Sequence, residues 1–458
     1  MRFIMAAILL LSGLGLAWAE SKQTTDKTDP NCMASGCHDG LARQEFVHGP
    51  VGAGQCGVCH ETADRQTHKF KLVEQGTELC YFCHLPQNTK KHIHEPVKKQ
   101  CLECHDPHGS KAKFLLTRKD ANALCASCHK LKEKKFLHGP VASGACIACH
   151  QFHHSDYPNL AYRPEGQECF ECHAEMEKSI KEHAYVHKPA VENCRLCHTA
   201  HSSDVPLQLK KTGKALCVEC HENIGKEIQN AQVPHGALNI LDECLNCHGA
   251  HTANMPFLLK DKPMNLCLTC HDKEVETPSG RKLQNIKKVL DASQFKHGPI
   301  REGDCMACHQ THGSSNFDLL KRYFPQSFYD DFDLKNYALC VSCHEQSLIM
   351  QERTTTLTRF RNGNLNLHYV HVHQEVKGRT CRVCHEVHGG NLPANVRKEV
   401  PFGKRQWLLP LNVELTETGG RCSGCHRPMR YDRVNPVDNS IQTEEKAETE
   451  KQNTGSGP

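Results

Sequence analysis

The residues from His297 to Gly313 read HGPIREGDCMACHQTHG, and at their centre stands Cys305-Met-Ala-Cys308-His309. Two thiols separated by two residues, with an imidazole next in line, form the attachment signature of a c-type haem. The thiols add to the two porphyrin vinyl groups, and the imidazole ligates the iron from one face. His297 precedes Cys305 by eight residues and His312 follows His309 by three. Side chains three apart on a helical turn point the same way. His312 is therefore misplaced for the opposite face of its own iron and is free to serve a neighbouring one.

The pattern recurs until it exhausts the cysteines. All 30 fall into fifteen motifs, and a histidine follows each second cysteine. The covalent pairs are Cys32 and Cys37, Cys56 and Cys59, Cys80 and Cys83, Cys101 and Cys104, and Cys125 and Cys128. They continue with Cys146 and Cys149, Cys169 and Cys172, Cys194 and Cys197, Cys217 and Cys220, and Cys244 and Cys247. The last five are Cys267 and Cys270, Cys305 and Cys308, Cys340 and Cys343, Cys381 and Cys384, and Cys422 and Cys425. Their proximal ligands are His38, His60, His84, His105, His129, His150, His173, His198, His221, His248, His271, His309, His344, His385 and His426. Fourteen motifs are C-x-x-C-H; the first is C-x₄-C-H. Disulfides or zinc ribbons would need no histidine after every second cysteine.

The elements that position these groups repeat as well. Each even-numbered motif has a histidine upstream: His48, His94, His138, His187, His235, His297 and His373. Six of them have another three residues after the proximal histidine: His108, His153, His201, His251, His312 and His388. Motif two lacks it, and His68 is the nearest substitute. The unit is a two-haem module of about 45 residues, repeated seven times, with a lone fifteenth motif. These fourteen histidines are candidate distal ligands, and sequence neighbours are their nearest irons. Five more lie outside the frame: His92, His154, His183, His368 and His371, of which His368 or His371 is expected to serve the fifteenth haem. Met176, Met255, Met264, Met350 and Met429 follow no repeat and read as packing residues.

Between modules, His-x-Pro steps at His48, His94, His138, His187 and His297 predict a stiff approach that aims the histidine before a helix starts. Runs such as FLLTRKDANALC from Phe114 predict apolar cover for a porphyrin face. Each motif is expected to start a short helix, and longer helices are expected over 274–290 and 347–361.

Composition agrees. Aromatic residues are only 6% of the chain, so a protein core of ordinary size is not available to it. Porphyrins would supply the missing apolar mass, at about one per 29 residues of the mature chain. The formal net charge of +4 is too small for nucleic-acid binding, and the lysines read better as propionate partners. Met1 to Ala19 has a basic start, an apolar run and Ala17-Trp18-Ala19 before Glu20, the pattern of a cleaved export signal. No later stretch is apolar enough to span a bilayer. A regular array of haems 1–11 is expected over 20–290, an elaborated region of haems 12–15 over 291–436, and a disordered tail over 437–458.

With these residues in view, notably CLECHDPHGS at Cys101 and CRVCHEVHGG at Cys381, residues 32–430 resemble the multihaem c-type cytochromes of the doubled C-x-x-C-H class. The resemblance implies mainly short α-helices and loops with little β structure, an elongated array of two-haem modules organised around stacked haems. The fifteen motifs call for fifteen covalent haem c groups, a number in which this sequence departs from the family, as it does in its first C-x₄-C-H motif and its lone terminal motif. The resemblance implies bis-histidine iron and electron transfer in anaerobic or extracellular respiration, with no catalytic residue. The expected location is the periplasm, with outer-membrane association or an extracellular place as further options. Expected partners are a quinol-oxidising donor, other periplasmic or outer-membrane cytochromes and a porin. An open-site reductase of a small oxyanion such as nitrite or tetrathionate is the other function class. Catalytic haems of such enzymes often carry lysine in place of the motif histidine, and no such motif occurs here.

Intact-mass spectrometry of the protein beginning at Glu20 is expected to show fifteen covalent haems. Fourteen would single out Cys32 and Cys37 as unoccupied, and thirteen or fewer would overturn the count.

Overall fold

The computed structural model describes residues 32–33, 37–64, 66–131, 134–277, 279–403 and 407–440. The expected signal segment lies outside them, as does most of the expected tail. Two compact units are present. One comprises the chain up to residue 133 with Leu137–Glu168, and the other comprises Lys134–Phe136 with the chain from Cys169 onward.

Secondary structure is sparse and short, as the Gly and Pro punctuation predicts. In most motifs the proximal histidine's N–H donates to the first cysteine's carbonyl, as from His105 to Cys101 at 3.0 Å and from His309 to Cys305 at 3.1 Å. That single turn brings both thiols to one side. Even motifs up to the twelfth sit on 3₁₀ turns such as Cys101–Glu103 and Cys305–Ala307, and the fourteenth on the α-helical turn Cys381–Cys384. Several odd motifs lie at the end of a short α-helix, as in Ala121–Cys128, whose N-terminus is capped by Asp120 accepting from the Ala123 N–H. The last motif departs from the expectation of a helix. Cys422 lies in a strand, Gly419–Cys422, paired with Met429–Asp432. Gly419 and Gly420 permit this close approach, since a Cβ on Gly419 would stand 1.9 Å from the Tyr431 carbonyl oxygen.

The His-x-Pro steps behave as their stereochemistry dictates. His48, His94, His187 and His297 are extended N-cap residues, with φ between −60° and −70°, of helices that carry Pro at the first or second position. His138 caps Gly139–Ala142 in the same way. Each imidazole is thus aimed before the helix begins.

Two-residue strands then join each module to the next. Phe46–Val47 pairs antiparallel with Gly109–Ser110, and His92–Ile93 with His154–Ser155. In the second unit Tyr185–Val186 pairs with Thr252–Ala253, Val233–Pro234 with Gly313–Ser314, and Phe295–Lys296 with Gly389–Gly390. Every one of these clips joins the approach to an upstream histidine with the residues just past a plus-three histidine. Their edges are closed by short polar devices. Ser155 is fully buried; its hydroxyl donates to the Ala161 carbonyl and accepts the Tyr157 N–H at 3.0 Å.

The longer helices are cut short, for identifiable reasons. Over 274–290 a hairpin, Val275–Glu276 with Lys282–Leu283, replaces the first half, turning through Gly280 at φ +78°. The helix that remains is Ile286–Ala292, capped by the Asn285 side chain. In 347–361 the helix ends at Met350. Beyond it the Thr354 hydroxyl takes the N–H groups of Thr356 and Leu357, and that of Thr358 takes the Phe360 N–H, so the threonines divert helix donors.

The protein core is small and lies late in the chain. Tyr337, Ile349 and Val372 are buried together, with Phe332, Leu334 and Val341 packed against them. Among the described residues of the first unit, Ala112 is the one buried apolar side chain. At the start of the expected tail, the Val437 N–H and carbonyl are both bonded to the Asn362 side chain at 2.8 Å.

Ser155→Ala is expected to lower stability by about 1–3 kcal/mol, the cost of leaving the buried Tyr157 N–H and Ala161 carbonyl without this partner. A lower Tm followed by Soret circular dichroism, with haem count unchanged, is the expected result. The naturally occurring Ala253 at the equivalent place in a later module shows that the fold itself survives the change.

Candidate haem-iron sites

Proximal histidines are met by second imidazoles at a nearly constant separation. In the first unit the ring centres of His38 and His68 stand 6.2 Å apart, those of His48 and His84 5.9 Å, and those of His60 and His108 6.1 Å. His94 and His129 follow at 6.0 Å, and His105 and His153 at 6.1 Å. In the second unit His187 faces His221 at 6.0 Å, His198 faces His251 at 6.0 Å, and His248 faces His312 at 6.3 Å. His297 and His344 are at 6.0 Å, His309 and His388 at 6.3 Å, and His368 and His385 at 6.3 Å. Most of these ring planes lie within 25° of parallel.

That separation is too wide for direct ring contact. A metal–imidazole bond of about 2 Å, plus about 1 Å from nitrogen to ring centre, on each side gives about 6 Å. The donor sets therefore fit one axially ligated metal ion per pair. The neutral imidazole is the form that ligates, and burial favours it at several of these rings. Burial holds His153, His251 and His312 below the usual histidine range, and it pushes His368 and His388 down to about 4, with neighbouring imidazoles adding to the effect.

Two pairing rules emerge. An upstream histidine faces the proximal histidine of the following odd motif, as His48 faces His84. A plus-three histidine faces the proximal histidine two motifs earlier, as His108 faces His60 and His312 faces His248. It therefore skips the adjacent motif that sequence proximity favours. The clips explain why: the His48 N–H donates to the His108 carbonyl at 2.9 Å, and the His187 N–H to that of His251 at 2.8 Å. Two distal imidazoles are thereby delivered side by side to two different motifs. His235 keeps to the first rule, since burial and then its imidazole lower the proton affinity of His271. His201 directly precedes the strand Ser202–Ser203.

The rings are held by carbonyls at Nδ1, which leaves Nε2 for a metal. For six proximal histidines the acceptor is nine residues on: Phe114 for His105, Asn159 for His150, Leu207 for His198, Phe257 for His248, Asp318 for His309 and Ala394 for His385, all at 2.8–2.9 Å. Each acceptor residue, and the one after it, has a positive φ of 51–61°. Two successive left-handed residues make a turn that normally favours Asn-Gly; here side chains as large as Phe257 occupy it. Phe114, Leu207 and Phe257 are about 80% exposed to solvent, in keeping with cover for a flat apolar group. Sequence reasoning found the apolar runs and missed this turn, because none of its residues is glycine. Among upstream histidines, His48, His187 and His235 bond the carbonyls of Pro107, Ala250 and Thr311, again fixed by the clips.

Thiols of successive motifs also meet. Burial, then a hydrogen bond with Cys101, pushes Cys80 up to about 11, and burial together with Cys244 does the same to Cys217. Cys125 and Cys146, Cys267 and Cys305, and Cys340 and Cys381 are likewise paired. Second cysteines approach in alternation: Cys59 and Cys83, Cys104 and Cys128, Cys197 and Cys220, Cys247 and Cys270, Cys308 and Cys343, and Cys384 and Cys425 interact electrostatically.

One member of the expected frame is placed otherwise. His373 is stacked on Phe332 at 3.6 Å and Tyr369 at 3.9 Å, and its Nδ1 meets the Tyr369 carbonyl. His371, outside the frame, takes the place beside the last motif: burial lowers its proton affinity, and Arg379 and His426 lower it further. The helix Leu367–Val372 explains the exchange, since it presents His368 and His371 one turn apart while its end carries His373 into the aromatic cluster. His154 accepts the Thr89 N–H at Nδ1, His183 bonds the Ser179 carbonyl, and His92 lies in a clip strand.

The doubled CXXCH motif family model matches residues 48–89, 94–134, 138–178, 187–226, 235–276 and 297–348, more than half of the chain. Each match begins at an upstream histidine and ends beyond an odd motif, so it contains one two-motif module. No curated protein matches the chain. With its paired imidazoles and its thiols set motif beside motif, the chain belongs to the multihaem c-type cytochromes of the doubled CXXCH class.

Proposed function

We propose that this chain is an exported fifteen-haem cytochrome that carries electrons along its bis-histidine sites. The carrying observation is the alternating approach of thiols in successive motifs within each unit, because covalent attachment at neighbouring cysteines would bring porphyrin edges together. Haem bound at these motifs supplies one-electron oxidation and reduction of iron. The cysteines tether, the proximal and facing histidines ligate, and the Nδ1 acceptors fix the tautomer and the ring plane. For the fifteenth site the assignment is His371, and for the fourteenth His368. His138 and His201 keep their places as distal ligands by the repeat.

Export follows from the residues before Glu20 and from the compartment in which haem c is attached. Among the described residues no helix is long and apolar enough to cross a membrane. The donor is a quinol-oxidising enzyme or another periplasmic cytochrome, and the acceptor an outer-membrane cytochrome or a porin-borne partner.

His312→Ala is expected to create one high-spin haem, with the count still fifteen, and the haem affected is that of Cys244 and Cys247. Peptide-resolved labelling with an exogenous axial ligand such as an isocyanide identifies it. A response at Cys305 and Cys308 would overturn the pairing rule.

His371→Ala is expected to produce a high-spin electron paramagnetic resonance signal, while His373→Ala leaves the low-spin spectrum unchanged. The reverse outcome would restore His373 as a ligand. Turnover of nitrite or hydroxylamine at enzymatic rates by the intact protein would replace electron transfer with catalysis.

A further inference from the structure

Six even motifs share a position whose side chain varies in charge. Twelve residues past the proximal histidine, a backbone N–H donates to the second cysteine's carbonyl, as from Lys321 to Cys308 and from Arg397 to Cys384, both at 2.8 Å. The occupants in chain order are Thr117, Tyr162, Lys210, Lys260, Lys321 and Arg397. The lysines are exposed, so water and salt screen them. Arg397 alone is enclosed: its side chain is 14% exposed, its Nη1 meets Glu386 at 2.9 Å, and its Nε donates to the carbonyl of His385 at 3.1 Å.

Two more guanidinium groups act on the same motif. Arg382, between Cys381 and Cys384, has a buried Nε without a protein partner, and its guanidinium lies 5.9 Å from the centre of the Phe317 ring. Arg379, two residues before Cys381, has its guanidinium 5.8 Å from the centre of the Tyr329 ring. The facing negative groups are Glu386 and Asp318, and Asp318 is already ion-paired with Arg281. Positive charge is in excess around His385, and it is buried where the effective dielectric is low.

We infer that Arg397 and Arg382 make the site of Cys381, Cys384 and His385 the most oxidising in the second unit, so that electrons collect at its C-terminal end. Reduction adds one electron to the iron site, and a fixed positive charge nearby favours the reduced form. The orphan Nε of Arg382 is the donor available to a haem carboxylate, which it would hold ionised and neutralised. The other even motifs of this unit offer only exposed lysines at the twelfth position. This inference rests on haem occupancy of the motif, so occupancy is measured separately in every variant.

The experiment is a spectroelectrochemical titration of the full-length, haem-loaded protein, with haem count by mass as the control. In Arg397→Gln one of the positive steps, roughly one fifteenth of the amplitude, is expected at lower potential than in the wild type. At fixed potential the reduced-to-oxidised ratio of that step falls at least tenfold, about 59 mV for one electron. Arg397→Lys should hold most of the wild-type position, and Lys321→Gln should leave the step unmoved. Glu386→Gln, which removes the counter-charge, should shift it upward, and this arm remains decisive if an arginine variant fails to assemble. Superimposable titrations of wild type, Arg397→Gln and Glu386→Gln at full haem count overturn the inference, as does an equal shift in Lys321→Gln. A count lacking the haem of Cys381 and Cys384 in the wild type overturns the haem reading instead.

Discussion

A gap of about 6 Å between facing imidazoles, the width of one metal ion with its two bonds, is the constraint on which the structure depends. It is kept from His38 and His68 at 6.2 Å to His368 and His385 at 6.3 Å. Holding it demands that two segments far apart in sequence be placed to within a few tenths of an ångström. A chain with few buried apolar side chains must do this by other means.

Those means are local and repeated. Proline steps aim the upstream histidines, two-residue clips set them beside the plus-three histidines, and left-handed turns bring a carbonyl to the proximal Nδ1. A left-handed pair such as Phe257 and Leu258 is costly for residues with a Cβ. Its repetition in six modules identifies it as a device for ring orientation, because its carbonyl is what His248 requires. Metal ligation at these pairs would supply stability that burial does not, as in other proteins whose ligand sites form only on folding.

The two parts of the chain balance core and cofactor differently. Ala112 is the one buried apolar residue described in the first unit, where paired imidazoles and clips carry the organisation. In the second unit Tyr337, Ile349 and Val372 form a true cluster, close to the motif where Arg382 and Arg397 are enclosed. A protein core permits buried charge, and buried charge is what differentiates sites that are otherwise copies of one another.

The attachment motifs and the family were legible in the sequence, because two thiols and an imidazole within five residues are set by covalent geometry alone. The same reasoning excluded His312 from the iron of His309. Tertiary structure decided which motif each distal histidine faces, since that depends on strand pairing between segments some sixty residues apart, such as Phe46–Val47 with Gly109–Ser110. It also set His371 beside the last motif and His373 against the rings of Phe332 and Tyr369, because position on a helix outweighs distance along the chain. The left-handed turns stayed hidden for a related reason: nothing in Lys113-Phe114-Leu115-Leu116 asks for a positive φ, and only the carbonyl needed by His105 imposes it.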